Sequence, residues 1–161
     1  MDTWDPTILR KLPSNHTVII FDNRGVGNST TGTKPFSMIQ FANDTAGLLD
    51  ALKIQKADVL GYSMGSFVAQ ELALLHPEKV NRLILVASSC GGEENIPRSP
   101  DVVKISSDFA YNRSQDVGKL LSILFPESWI RSHPNSLSIP QSNEIVPLDT
   151  AIQQFEIVVC N

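Results

Sequence analysis

The feature that most constrains this chain is the run Gly-Tyr-Ser-Met-Gly at residues 61–65. Gly-x-Ser-x-Gly is the pattern that holds a serine on a sharp turn between a strand and a helix. The flanking residues suit such a turn, because residues 57–60 form a short, mostly apolar run and residues 66–76 have helical propensity up to Pro77. The sequence therefore predicts Ser63 at the apex of the turn, in a strained backbone conformation between two glycines that let strand and helix approach closely.

Neighbouring segments extend this unit to an α/β sheet. Residues 17–21 and 82–87 are β-branched and apolar runs, each too short for a typical helix, and both predict strands. Between the first of them and the turn, residues 38–52 have one apolar helical face, and Ser37 with Gln40 forms a capping-box signature. Alternating strands and helices predict parallel strands with ligands at their carboxyl ends, which is where Ser63 lies.

Three motifs in order closely resemble the α/β-hydrolase superfamily, in its branch of small esterases, perhydrolases and proline-iminopeptidase-like enzymes. They are the run Phe-Asp-Asn-Arg-Gly-Val-Gly-Asn-Ser at 21–29, the serine motif at 61–65, and the run His-Pro-Glu-Lys-Val-Asn-Arg-Leu-Ile-Leu at 76–85. The resemblance implies a partial α/β-hydrolase fold, a parallel sheet with crossover helices followed by the start of a helical cap. It further implies that Ser63 is the nucleophile and that the Met64 backbone N–H is one oxyanion donor.

By the same resemblance we expect the chain to be the middle of a hydrolase, truncated at both ends. The loop with the second oxyanion donor would precede the segment at Trp4, and the catalytic acid and histidine would follow the last residues. Two hypotheses therefore stay open. The chain is a serine hydrolase that acts on a small-molecule ester or amide, or it is a catalytically inactive truncated or pseudo-hydrolase that serves as a binding or interaction fragment. Whether this chain is an enzyme is left undecided, and no acid is assigned.

The three histidines are weighed as the general base, and each is predicted to be structural. His16 precedes the first predicted strand, at the wrong end of the sheet for Ser63. His76 closes the helix that follows Ser63, where the helix dipole favours a cation. His133 follows Ser63 in the chain, but no strand signal precedes it, so a catalytic role is the less favoured alternative.

Other polar residues near the motifs receive structural interpretations. Asp22, Arg24 and Ser29 could contact substrate, but a loop fixed by an Asp–Arg interaction and glycine turns is favoured. Cys90 could be a reactive thiol, but a small buried hydrophobic residue is favoured.

Composition excludes several classes of partner. A net charge of −4 provides no basic field for nucleic acid or anionic lipid. Cys90 and Cys160 form neither a metal-ligand spacing nor a disulfide framework, so we expect no metal, no cofactor and a reducing cytoplasmic location. The absence of a long apolar run and of a basic, apolar amino terminus predicts no membrane span and no signal peptide.

The character of the chain changes after Gly92. We predict a partial hydrolase core over residues 1–92 and a linker with a partial cap over residues 93–161. In the second part, residues 102–124 have helical spacing, residues 132–147 predict a loop, and residues 150–159 predict a helix or strand. The apolar residues of this cap suggest a substrate with an apolar group. Because so few strands are predicted, we also expect exposed sheet edges and self-association through them.

Overall fold

The structure is a computed structural model that describes residues 4, 6–12, 15–92, 95–112, 117–134, 146 and 148–159. Its helices are α1 (Pro6–Lys11), α2 (Met38–Ala51), α3 (Met64–Leu75), α4 (Pro100–Asn112), α5 (Val117–Leu124), α6 (Glu127–Ser132) and α7 (Leu148–Val159). Its strands are β1 (Ala57–Tyr62) and β2 (Val80–Val86), and a short 3-10 helix spans Pro77–Lys79 between α3 and β2.

Contacts between Cα atoms divide the chain into two units. One consists of Met1–Thr30 and Arg98–Ile152, and the other of Thr31–Pro97 and Gln153–Asn161. The second unit contains both strands, α2, α3 and Ser63, and it is the unit that positions the site. The predicted division at residue 92 stays a prediction.

The sheet of the second unit is parallel. Residues Asp58 to Tyr62 of β1 pair in register with Arg82 to Val86 of β2, and α3 connects the two strands. This confirms the α/β class with a parallel sheet and a crossover helix. On β1, half-buried Val59 and buried Gly61 lie on the face that carries α3, whereas Leu60 and Tyr62 on the opposite face are exposed.

The core of this unit lies between α2 and α3. Its buried side chains are Met38, Phe41, Ala42 and Ala46 from α2, and Val68 and Leu72 from α3. Burial of such a stripe supplies most of the stabilisation of an amphipathic helix. The predicted start of α2 is confirmed, because the Ser37 Oγ accepts a hydrogen bond from the Gln40 N–H at 3.0 Å. The Gln40 side chain instead donates to Asp44 Oδ1 at 2.9 Å, so only half of a capping box forms.

The strand predicted over residues 17–21 is wrong for this structure. The segment has no strand assignment, and β1 and β2 are the strands of the described sheet. Val18, Ile19 and Phe21 are each at least 40% exposed. A strand needs a hydrogen-bonded neighbour as well as suitable side chains, because its backbone groups otherwise stay with water.

Most of the described residues after Gly92 are helical, and residues 95–99 before α4 and the short breaks around α6 are not. The helical spacing of residues 102–124 is confirmed by α4 and α5, and the segment around residue 150 forms the helix α7. Most of the loop predicted over 132–147, and Cys160, lie outside the described residues. Within the described ranges, no helix is both long enough and apolar enough to cross a lipid bilayer.

Candidate active site

Ser63 lies at the apex of the turn between β1 and α3, as the sequence predicts. Its φ of 50° and ψ of −122° place a non-glycine residue in a rarely populated conformation, which costs about 1–3 kcal/mol. Hydrogen bonds hold the residue on both sides. Its N–H donates to the Val86 carbonyl at 3.0 Å, and its carbonyl accepts from the N–H and Oγ of Ser66 at 2.8 and 2.6 Å. The surrounding backbone therefore fixes the strained apex.

Gly61 and Gly65 do not have the same role. A Cβ added to Gly61 would lie 2.4 Å from the Gly65 carbonyl oxygen and 2.6 Å from the Ser66 Cα, so the first glycine is required by close packing of strand against helix. A Cβ added to Gly65 would meet nothing within 4 Å. The prediction that both glycines are needed for close approach is therefore confirmed for Gly61 and wrong for Gly65 in this structure.

The Ser63 side chain is at the surface of the turn. The residue is exposed, and its side chain makes no capping hydrogen bond to α3. The next residue, Met64, is the first residue of the helix, where a backbone N–H has no acceptor within the helix. The positive end of the helix dipole reinforces this donor, so the arrangement favours negative charge beside Ser63.

Three residues at or beside the turn, Ser66, Gln70 and Ala87, are not singled out by any prediction from the sequence. Ser66 is fully buried and makes both hydrogen bonds to the Ser63 carbonyl. Its position three residues after Ser63 is a signal for this helix-start interaction. Gln70 contacts the segment after β2, and Ala87 in that segment has a φ of 52°. Neither Gln70 nor Ala87 carries a local sequence signal.

The histidines make their polar contacts elsewhere. His16 contacts the Asn15 side chain at 2.8 Å, and the His133 ring stacks on Trp129 at 4.4 Å between centroids. His76 Nε2 contacts Asn43 Oδ1 at 2.8 Å, and its backbone N–H caps the carboxyl end of α3. Because α3 has 12 residues, His76 lies about 18 Å along the helix from Ser63. These contacts support the predicted structural role of His76.

The loop after the first predicted strand is closed on itself. The Ser29 Oγ donates to the Asp22 carbonyl at 2.7 Å, and the Gly25 N–H donates to the Thr30 carbonyl at 3.2 Å. Gly27 has a φ of +54°, and a Cβ there would lie 2.5 Å from an Asp22 carboxylate oxygen. These contacts support the predicted structural role of the loop. The pairing of Asp22 with Arg24 stays a prediction.

Cys90 corrects another prediction. It is a free thiol and is exposed, so it is not the small buried hydrophobic residue that the sequence suggests. β2 ends at Val86 and Ala87 follows with a φ of 52°, so Cys90 lies in the unpaired segment after the strand.

An open cleft of about 480 Å³ lies elsewhere in the same unit. It is formed by residues 31–36 and by Gln153, Glu156 and Ile157 of α7, and Ser63 does not line it. The described residues hold no cluster of three His, Cys, Asp or Glu side chains that could bind a metal ion.

A family model with the description alpha/beta hydrolase fold matches residues 1–124. The chain belongs to the α/β-hydrolase fold family. The match covers the turn at Ser63, the parallel strands on either side of α3, and the region up to the end of α5.

Relatives and solved structures that are similar to this chain support this assignment. The chain is 34% identical over 131 residues to "Putative carbamate hydrolase RutD" of Azorhizobium caulinodans, an alignment that covers 79% of this chain and 47% of the relative. An alpha/beta hydrolase fold protein from Chitinophaga pinensis has 26% identity and a TM-score of 0.70, covering 98% of this chain and 58% of that structure. A thermophilic esterase from Thermogutta terrifontis has 26% identity and a TM-score of 0.59, covering 86% and 52%. The chain thus spans about half the length of the curated relatives it matches.

Proposed function

We propose that this chain carries the nucleophile of a serine hydrolase, with Ser63 as the attacking residue and the Met64 N–H as one oxyanion donor. The observation that carries the proposal is the Ser63 turn itself. An exposed hydroxyl is held at a strained apex, between the end of a parallel strand and the start of a helix, by hydrogen bonds to Val86 and Ser66. Such strain persists only where surrounding structure over-determines it, and it clusters at functional sites.

The reaction is acyl transfer. The Ser63 Oγ attacks the carbonyl carbon of an ester or amide and forms a new C–O bond, while its proton passes to a general base. The oxyanion that develops accepts a hydrogen bond from the Met64 N–H at the positive end of α3. Collapse of the tetrahedral intermediate breaks the bond to the alcohol or amine, which leaves with a proton, and water then hydrolyses the acyl-enzyme. The general base and the acid that orients it are not assigned.

Ester or amide hydrolysis is favoured because the names of similar proteins refer to such bonds. The Thermogutta protein is an esterase, and the Azorhizobium protein has the name of a carbamate hydrolase. A carbamate contains both an ester-type and an amide-type bond to its carbonyl carbon. We extend the proposal to a small substrate with an apolar group, since the helices after residue 98 carry apolar stripes.

A second candidate function, an inactive binding fragment, is supported by the contacts of the three histidines. His16 contacts Asn15, and His76 contacts Asn43. His133 contacts Ser132 and the Trp129 carbonyl. A serine without a base is a weak nucleophile. The 161-residue chain by itself would then act as a catalytically inactive fragment that binds a ligand or a partner through the same surface.

Covalent labelling tests the proposed nucleophile. We expect a fluorophosphonate to label Ser63 slowly, because the Met64 N–H and the helix terminus are present, whereas the three histidines, all among the described residues, make their polar contacts with other groups. Peptide mapping by mass spectrometry would locate the label. Ser63→Ala should abolish it, whereas Ser122→Ala, at an exposed serine of α5, should leave it unchanged. A folded chain that is never labelled at Ser63 would contradict the proposal.

Turnover separates the two candidate functions. Loss of a triad member lowers kcat by several orders of magnitude, and loss of an oxyanion donor lowers it by about 10²–10³. We expect the 161-residue chain to hydrolyse p-nitrophenyl acetate no faster than Ser63→Ala does. Saturable turnover that depends on Ser63 would favour the enzyme over the inactive fragment, and His133 would then be the first base to test.

We also propose that the isolated chain associates with itself through its sheet. Leu60, Tyr62, Ile84 and Val86 lie on the face of the sheet away from α3 and are 39%, 54%, 48% and 43% exposed. An exposed apolar face of this kind favours association, and the outer edges of the described two-stranded sheet offer backbone groups for pairing with another chain. Size-exclusion chromatography with light scattering should give a dimer or larger species, and a monodisperse monomer would contradict the proposal.

A cytoplasmic location completes the proposal. It is supported by the free, exposed thiol of Cys90, which suits a reducing compartment. Fractionation of cells that express the protein would test it, and recovery of the protein outside the cytoplasm would contradict it.

A further inference from the structure

We infer that Gln70 is a positioning residue for the Ser63 site: its amide fixes the segment 87–89 as a wall beside the nucleophile. The inference rests on the proposed role of Ser63. Gln70 lies on α3, and the segment that it holds, called here the 87–89 wall, directly follows β2. No motif in the sequence marks either of them.

The wall lies beside Ser63 because of the strand register. Tyr62 of β1 pairs with Val86 of β2, so Ser63 and Ala87 are the next residues of two adjacent parallel strands. The Ser63 N–H donates to the Val86 carbonyl at 3.0 Å, which places the peptide group between Val86 and Ala87 directly against Ser63. Ser63 and Ala87 also share a positive φ, at 50° and 52°. Both strands are therefore followed by a non-glycine residue with a positive φ, which is rarely populated.

The amide of Gln70 joins the wall to the helix. Its Nε2 donates to Ser88 Oγ and to the Ser89 carbonyl, both at 3.0 Å, and it approaches the Ser66 carbonyl at 3.5 Å. Two of these partners are carbonyl oxygens, which only accept, so the orientation of the amide is fixed. Ser66 in turn holds the Ser63 carbonyl. One half-buried side chain thus connects the wall with the residue that supports the nucleophile.

The hydrogen bonds from Gln70 restrain a segment that would otherwise be loosely held. Ser88 is exposed and Ala87 is strained, so the wall has little packing of its own to keep it in place. A nucleophile acts efficiently only when the groups around the reacting carbon are held to within about 0.5 Å. The two hydrogen bonds from Gln70 supply that restraint at the side of Ser63 next to β2.

The test uses the full chain with two independent readouts. Cys160→Ser leaves Cys90, one residue beyond the wall, as the site for a nitroxide spin label. The spectrum of the label reports the mobility of the wall. The rate at which a fluorophosphonate modifies Ser63, measured by mass spectrometry, reports the site. The variants are Gln70→Met, which keeps the length of the side chain without its donors, and Ser88→Ala, which removes one acceptor from an exposed position. Glu71→Met is the matched control on the same helix.

We expect Gln70→Met to mobilise the label at Cys90 and to lower the labelling rate of Ser63 by about fivefold or more, since each lost hydrogen bond changes an equilibrium by about fivefold. Ser88→Ala should shift both readouts in the same direction by less. Glu71→Met should change neither.

The outcomes separate this inference from the proposed function. If Ser63 is labelled equally fast in wild type and both variants, or if the spin label at Cys90 stays immobile in both, the role of Gln70 is wrong while Ser63 remains the nucleophile. If wild type itself is never labelled at Ser63, the proposed function fails and this inference fails with it. Should Gln70→Met not fold, Ser88→Ala decides the question alone.

Discussion

The unit around Ser63 and the helices α4 to α6 are stabilised in different ways. Around Ser63, α2 and α3 share a buried core, and the turn is fixed by backbone hydrogen bonds and by the close approach at Gly61. In α4 to α6, Leu121 is the buried apolar residue among the side chains that the structure describes. Substitutions should therefore be costly near Ser63 and better tolerated in α4 to α6.

The largest effect is expected in the core below the turn. Leu72 and Leu74 are both leucines of α3, but Leu72 is 0% exposed and Leu74 is 76% exposed. Leu72→Ala should lower the free energy of unfolding by an amount in the upper half of roughly 2–5 kcal/mol, because it leaves a cavity between α2 and α3. Leu74→Ala should change it by less than about 0.5 kcal/mol. Urea unfolding measures both, and equal effects would remove the contrast between the two faces of α3.

A somewhat smaller effect is expected at Gly61, two residues before Ser63. Gly61→Ala forces a Cβ against the backbone of Gly65 and Ser66, so we expect a loss of about 3 kcal/mol. Gly65→Ala has open space around its Cβ and should be neutral or slightly stabilising, since alanine favours a helix by about 1 kcal/mol over glycine. Thermal unfolding of the two variants checks this pair. A Gly65→Ala variant as unstable as Gly61→Ala would show that the second glycine is required as well.

A smaller effect is expected in α5, where one leucine is buried and another is exposed. Leu121 is 6% exposed and Leu124, three residues further along α5, is 54% exposed. Leu121→Ala should lower the free energy of unfolding by about 2 kcal/mol, the lower end of the range for a buried leucine. The reason is that few other buried side chains of α4 to α6 would line the cavity. Leu124→Ala serves as the control and should be nearly silent. A loss at Leu121 as large as that at Leu72 would mean that the two regions are equally well packed.

The smallest effect is expected at the start of α2. Ser37→Ala removes the hydrogen bond from the Gln40 N–H to the Ser37 Oγ and should cost about 1 kcal/mol. Ser37→Asp keeps an acceptor at the same place and should restore most of the stability. If alanine and aspartate behave alike in thermal unfolding, the cap does not stabilise α2.

Local patterns in the sequence predicted the elements that depend on local interactions. The apolar stripe and Ser37 located α2, and the serine motif with its flanks located β1, the turn and α3. The strained φ of Ser63 was predicted because a serine between two glycines at a strand-to-helix turn has few other conformations. These features depend on residues no more than about four positions apart, which is the range over which helix caps and tight turns act.

Sequence patterns alone predict the parallel strand–helix–strand unit, the family, and the position of Ser63 at its apex. Features that depend on contacts between distant segments are visible only in the folded chain. Residues 17–21 have the side chains of a strand but no strand partner in the described sheet, and Cys90 is exposed in the segment that follows β2. Likewise, close packing requires a glycine at position 61 but not at position 65. Gln70 forms hydrogen bonds with Ser88 and Ser89, which lie 18 and 19 residues further along the chain. The physical reason is that pairing, burial and side-chain contacts are set by which segments meet, whereas propensity and capping are set by near neighbours along the chain.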